Sequence, residues 1–255
     1  MNENPEVSRE QARQEAEYAF PYHYIARCSG GNFSQTVNLS WGYEYLSYVS
    51  YVLNKLGAYE FHSLLDVGCG DGRFLFEARE RFPRCELTGI DISERAINFA
   101  KILSPDVRYV IGDITGKSLD VEFDVITAIE VLEHIPPEAL PDFLKATHDF
   151  LKDAGLLVIT VPSKNVRVRS KHYQHFDTET LREIVSPYFE ISEQYFLNRL
   201  GLQTKMIGRL LSNGLFLLNA KLLLNASYRY YINRLLVAQE KNAKRICVFC
   251  RKRVK

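Results

Sequence analysis

The chain has 255 residues, 46% hydrophobic and 25% charged, which suits one soluble domain with decorations and a core of good size. The opening residues, MNENPEVSREQARQEAEYAF, are polar where a secretory leader needs an apolar run, and the apolar stretch 210–220 falls short of the roughly 20 residues of a membrane span, so neither is expected. Net charge is +1, yet residues 199–255 hold 13 Lys or Arg against Glu240 alone, which leaves the other 198 residues at −11. Such asymmetry points either to an anionic partner for the basic part or to a solvated helix surface.

In chain order, the aromatic stretch YAFPYHYI at 18–25 precedes LSWGYEYLSYVSYVLNKL at 39–56, whose apolar spacing predicts a helix leading into the core. Apolar runs of strand type follow at 63–67, 86–90, 107–111, 123–129 and 155–161. Between them the pattern predicts helices over 72–82, 93–103, 138–152 and, later, 177–187, with Ser93 able to cap the second. Two more strands are expected at 189–197 and 245–251, separated by a helical segment at 202–240. The alternation predicts an α/β fold: a doubly wound, mostly parallel sheet with helices on both faces. The expected organisation is an N-terminal helical and aromatic lid (1–58), a core (59–198), a basic helical insert (199–243), and a final strand with a basic tail (244–255).

The stretch LLDVGCGDGRFLF at 64–76 places three glycines just after a strand. Gly68, Gly70 and Gly72 let the backbone take positive φ and let a ligand touch the main chain, while the following helix offers N–H groups to an anionic group. A dinucleotide turn wants a glycine where Arg73 stands, a poor fit to close helix–strand packing. The motif D-V-G-C-G-D-G instead resembles motif I of the class I S-adenosylmethionine-dependent methyltransferases. Three further features resemble that family: Asp91 closing the second strand, Asp113 closing the third, and FDVITAIEVLEHI at 123–135 followed by a helix, a Gly turn and a fifth strand.

The resemblance covers about residues 60–195 and implies a seven-stranded sheet with its last strand antiparallel. It also implies that S-adenosylmethionine is held by Asp66, Gly68, Gly70, Gly72, Asp91, Ile92, Asp113, Ile114 and Glu130. Asp66 would support the turn and, through water, the methionine amino group; Asp91 would accept both ribose hydroxyls; Asp113 would meet the adenine amino group. A sulfonium methyl is already electrophilic, so the protein mainly aligns a nucleophile behind it. A hydroxyl nucleophile also needs a base or a metal.

Two clusters can supply that help: Glu130, Glu133 and His134 after the fourth strand, and KHYQH at 171–175 after the fifth. The candidate catalytic residues are His134, Glu130 and His175, and the candidate ligands for a divalent Mg, Mn or Zn ion are Glu130, Glu133, His134 and His175. A purely structural role for Glu133 and His134 in the turn stays open. Ubiquinone-biosynthesis O-methyltransferases carry a similar E-x-x-E-H, and small-RNA 2′-O-methyltransferases add a later H-x-D-H, whose Asp is replaced here by Gln174.

Tyr18, Phe20, Tyr22, His23, Tyr24, Trp41 and Tyr43 stand where this family builds its substrate lid, as packing or as recognition. In the insert, Met206, Leu210, Leu211, Leu215, Leu218 and Leu222 recur at three- and four-residue steps beside Lys205, Arg209, Lys221, Arg229 and Arg234, with Gly214 expected to bend or divide the helix. Residues 200–239 read as an amphipathic helix on an anionic membrane, a homodimer face, or a cover on the sheet. The five cysteines form an odd, irregular set that argues for a reducing cytosol, and Cys247 and Cys250 are expected on opposite faces of one strand. The expectation is a cytoplasmic, membrane-associated enzyme that methylates a small-molecule, glycan or lipid-linked hydroxyl. RNA 2′-O-methylation and a non-catalytic cofactor-binding partner are the alternatives.

Overall fold

The computed structural model describes residues 9–10, 12–13, 27–29, 32–34, 39–116, 119, 121–211 and 220–253. A short hairpin, β1 (Arg27–Ser29) and β2 (Asn32–Ser34), precedes helix α1 (Leu39–Leu56). Strands β3 (Ser63–Val67), β4 (Glu86–Asp91), β5 (Arg108–Ile111), β6 (Phe123–Ile129) and β7 (Leu151–Pro162) then alternate with α2 (Arg73–Arg81), α3 (Glu94–Leu103) and α4 (Leu140–Asp149). After β7 come α5 (Thr178–Val185), β8 (Phe189–Arg199), α6 (Leu202–Leu211), α7 (Lys221–Arg234) and β9 (Ala243–Lys252).

The seven-stranded sheet has the order β5-β4-β3-β6-β7-β9-β8, parallel except for β9, which runs antiparallel to both β7 and β8. Successive strand residues point to opposite faces, so Leu64 enters one apolar layer and Leu65 the other. The first layer joins the sheet to α1, α2, α3 and the end of α7; the second joins it to α4 and α5. Phe74 and Leu75 of α2 are fully buried in the first, each contributing about 1.5–3 kcal/mol of transfer free energy. Cys247 and Cys250 fall into opposite layers, and burial pushes both thiols above their ordinary pKa, so this pair is structural.

Ser93 caps α3 as expected, its hydroxyl accepting the Ala96 N–H at 3.1 Å. The helix predicted over 138–152 stops at Asp149, because the chain from Leu151 pairs with β6 at Phe123 and extends β7 backward. Among the described residues the insert contains two helices, α6 and α7. Gly214 lies outside the described residues, as do Tyr18, Phe20, Tyr22, His23 and Tyr24. Of the described residues in and after the insert helices, Ile207, Tyr231 and Leu235 meet the core while Met206 and Leu222 are exposed; Leu215 and Leu218 lie outside the described residues. No described helix is long and apolar enough to cross a membrane.

Because β8 runs parallel to β7, its end and the start of β9 lie at the same sheet edge as the ends of β3, β4, β6 and β7. The insert therefore joins the sheet at the edge where open α/β sheets take their ligands.

Candidate functional site

A cavity of ≈ 1090 Å³ opens along that edge. One half is built by the glycine turn. Gly68, Gly70 and Gly72 have φ of 71°, 53° and 79°, and a Cβ on Gly68 would come within 2.6 Å of the Val131 side chain. The Gly70 N–H donates to Asp91 Oδ2 at 2.8 Å, and the Ser93 N–H donates to Asp91 Oδ1 at 2.8 Å. Asp91 thus holds the turn in shape through both carboxylate oxygens. Gly68, Gly70, Asp91, Ile92, Asp113, Ile114 and Glu130 all line the cavity. Ile92 is an exposed apolar side chain there, suited to an aromatic base.

Asp66 and Gly72 do not line it. Gly72 sits against α3, where a Cβ would lie 2.8 Å from that of Ala100. Asp66 is buried beneath the turn, accepting the Thr127 hydroxyl at 2.6 Å. Burial, with the Asp91 charge adding to it, raises the Asp66 pKa to about 7. Asp71, which faces the cavity, is raised by burial to about 6. Sequence reading passed over Asp71, although it stands within the motif.

Both carboxyls keep their protons to higher pH folded than unfolded, so the stability they confer is complete below pH about 4 and is lost as pH rises through about 7. The melting temperature of the cofactor-free protein is expected to fall over that window. Asp66→Asn, which retains an oxygen for Thr127, is expected to flatten the fall. A slope unchanged by the substitution counts against this role.

The other half holds the histidines. Leu132–His134 is a 3-10 turn after β6, tied to the following loop where the Tyr173 N–H donates to the Glu133 carbonyl at 2.8 Å. His134 Nδ1 lies 3.0 Å from the Lys171 carbonyl; a carbonyl only accepts, so Nδ1 carries the proton and Nε2 is the ring's acceptor nitrogen. His175 Nδ1 donates to the Val166 carbonyl at 2.9 Å, and its Nε2 lies 2.9 Å from His172 Nδ1. In the neutral relay His172 Nδ1 therefore donates to His175, and His172 Nε2 is left as an acceptor. Burial, reinforced by the neighbouring His134 ring and by Lys171, lowers the His172 pKa to about 3 and keeps that ring neutral.

Glu133, His134 and His172 place one ligand atom each within 4.8 Å of one another. Glu133 is buried, its Oε2 has no hydrogen-bond partner among the described residues, and burial raises its pKa well above the ordinary value. The expected ligand set is corrected at two positions. Glu130 stands outside the trio, with Thr160 Oγ1 donating to its Oε1 at 3.2 Å and Arg245 Nε donating to its Oε2 at 3.0 Å. His175 is the support of the relay: both its nitrogens are engaged, and His172 takes the ligand position in its stead.

Arg245 was missed from sequence. It comes from β9, far along the chain, and also donates to Asn198 Oδ1 at 3.1 Å while its guanidinium lies 4.4 Å from the Tyr48 ring centroid. Asn198 in turn donates to the Tyr231 hydroxyl at 2.5 Å, so Glu130 is joined through this buried network to α1, β8 and α7. Glu130 itself has a φ of 57°, a strained conformation over-determined by these partners.

Fold and site together define a class I S-adenosylmethionine-dependent methyltransferase. A family model for a methyltransferase domain matches residues 16–193, more than half of the chain, and the chain belongs to that family. The mitochondrial ubiquinone biosynthesis O-methyltransferase of Schizosaccharomyces pombe is 32% identical over 131 residues, 49% of this chain and 46% of the relative. The (S)-coclaurine N-methyltransferase of Papaver somniferum is 30% identical over 123 residues, 46% of this chain and 34% of that protein. The chain thus spans about half the length, or less, of the curated relatives it matches. Among solved structures, magnesium protoporphyrin IX methyltransferase from Synechocystis PCC 6803 with bound S-adenosylhomocysteine has a TM-score of 0.60 at 13% identity, over 94% of this chain and 95% of the other, a shared fold.

Proposed function

We propose that the protein transfers the methyl group of S-adenosylmethionine to a hydroxyl of a small-molecule, glycan or lipid-linked acceptor. The observation that carries this reading is the two-sided cavity, with the glycine turn and its acidic residues on one side and the oriented His134 ring on the other. The glycine turn, Asp91, Asp113 and the Ile92–Ile114 pair hold the cofactor so that its methyl faces the histidine half. His134 Nε2 accepts the proton of the acceptor hydroxyl as the carbon–oxygen bond forms and the carbon–sulfur bond breaks. The products are the methyl ether and S-adenosylhomocysteine, with the proton held on the imidazole until solvent removes it. Alignment supplies most of the rate gain, on the order of 7–11 kcal/mol in favourable cases.

The Glu133, His134 and His172 trio fits a divalent cation, since two neutral imidazole nitrogens and one carboxylate form a mixed N/O set suited to Zn or Mn more than to Mg. The chemistry such a cation supplies is Lewis acidity toward an oxygen nucleophile. In calorimetric titration, Zn²⁺ or Mn²⁺ is expected to bind stoichiometrically, with Glu133→Gln weakening it by at least about tenfold. No binding by the wild-type chain discards the metal version and leaves His134 as base.

The exposed apolar residues of α6 and α7, Leu202, Met206, Leu222 and Leu223, stand beside the basic Lys205 and Arg229, and they support docking of the insert on an anionic membrane in the cytoplasm, where a lipid-linked acceptor resides. A homodimer through the same face is the competing use. The deciding experiment incubates a host-cell extract with the protein and methyl-labelled S-adenosylmethionine. Label in a lipid, glycan or small hydroxyl compound supports the reading. Label in RNA favours 2′-O-methylation, and cofactor affinity with no label transfer favours a non-catalytic binding partner.

A further inference from the structure

The loop after β7 carries Arg167, Arg169 and Lys171, all of which line the main cavity beyond the histidines. A second cavity of ≈ 670 Å³ adjoins it and is lined by Arg13, Arg167, Val168, Arg169, Ser170 and Lys171. Four of those six residues are cationic and none is acidic. Arg13 Nη1 donates to the Ser170 carbonyl at 2.6 Å, bringing a cation from the N-terminal segment against the loop. Among the described residues neither Arg167 nor Arg169 has a carboxylate partner, and both side chains are exposed. Of the carboxylates that line the main cavity, Glu130 is held by Arg245. Glu10, Asp142 and Asp149 also line the main cavity. The positive field reaches Lys244, whose pKa is lowered by burial first and then by Arg245, with Arg169 adding to it.

The two halves of the cavity therefore differ in sign. Asp71, Asp91 and Asp113 face the half that takes a cationic sulfonium and ammonium, while uncompensated guanidinium groups face the outer part of the acceptor half. Guanidinium forks match the oxygens of phosphate and carboxylate, and clustering them costs stability through like-charge repulsion unless an anion relieves it.

We propose that the second cavity is an anion subsite for the acceptor, and that the acceptor carries a phosphate, diphosphate or carboxylate group held by Arg167 and Arg169 while its hydroxyl lies at His134. This rests on the methyltransferase reading for the identity of the occupant as acceptor. The cation cluster itself does not depend on it.

The test is calorimetric titration of inorganic diphosphate, citrate and a water-soluble short-chain phosphatidic acid into the protein saturated with S-adenosylhomocysteine. Wild-type protein is expected to bind at least one of them, and Arg167→Ser/Arg169→Ser to weaken that binding by about tenfold or more while leaving S-adenosylhomocysteine affinity unchanged. Diphosphate over citrate assigns a phosphoryl group, and the reverse a carboxylate. Tighter binding of the phosphatidic acid than of diphosphate places the phosphate on a lipid. Failure of all three probes, or equal binding by the double variant, overturns the subsite. Displacement of diphosphate by a short single-stranded RNA at far lower concentration overturns the small-acceptor assignment. If S-adenosylhomocysteine itself fails to bind, the functional reading falls, and the same titrations without it still decide the subsite.

Discussion

Asp91→Ala is expected to weaken S-adenosylhomocysteine binding by about 100-fold or more, measured by calorimetry. The carboxylate is nearly buried, with one oxygen accepting the Gly70 N–H at 2.8 Å and the other the Ser93 N–H at 2.8 Å. Removing it leaves two main-chain donors without their charged acceptor, at about 1–3 kcal/mol for each donor left unsatisfied. It also removes the oxygens that the proposed cofactor site offers to the ribose. Part of the loss is intrinsic to the empty protein, since the glycine turn is no longer pinned to β4, so the melting temperature falls as well. Asp91→Asn keeps one acceptor oxygen and is expected to lie between the two. Wild-type affinity in Asp91→Ala would refute both the ribose contact and the turn-pinning role.

His134→Ala is expected to lower kcat by roughly 100-fold to 10,000-fold and to leave S-adenosylhomocysteine affinity within about twofold, because the imidazole stands on the acceptor side of the cavity. Its ring is fixed from both sides: Nδ1 donates to the Lys171 carbonyl at 3.0 Å, and the His172 ring packs edge-on at a centroid distance of 4.8 Å. A base held in one orientation contributes to the transition state alone, so the loss falls on kcat. The measurement is initial-rate kinetics on the acceptor identified by label transfer. Unchanged kcat sinks the assignment of His134 as the proton acceptor.

How far the site was readable in advance differs from residue to residue. The placement of Gly68, Gly70, Asp91 and Asp113 on the cavity wall was legible because it depends on short-range geometry, a turn and the ends of two neighbouring strands. Asp66 was legible as a position only. Its burial beneath the turn follows from β6 lying alongside β3 and offering Thr127, a pairing between residues 61 apart in the chain. His172 and His175 were both visible at three-residue spacing, yet spacing says nothing of which nitrogen meets which partner. The Val166 carbonyl decides that by accepting the His175 Nδ1–H, which leaves His175 Nε2 to accept from His172 Nδ1 and His172 Nε2 as the acceptor. Glu130 matched a ligand motif and is occupied by Arg245 from the last strand, a partner 115 residues away.

Periodicity and glycine placement were enough to set the α/β layers and the sheet edge that carries the site, because strand alternation, helix period and positive φ are properties of a few adjacent residues; the cofactor class came from the resemblance of the motifs to a known family. The charge asymmetry of the C-terminal part was also plain in the chain. Which acids keep their protons, which imidazole faces the cavity, and which face of the insert is buried were decided by the packed structure. Those outcomes depend on desolvation and on hydrogen-bond partners brought together from distant segments, and both terms act only once the layers have closed.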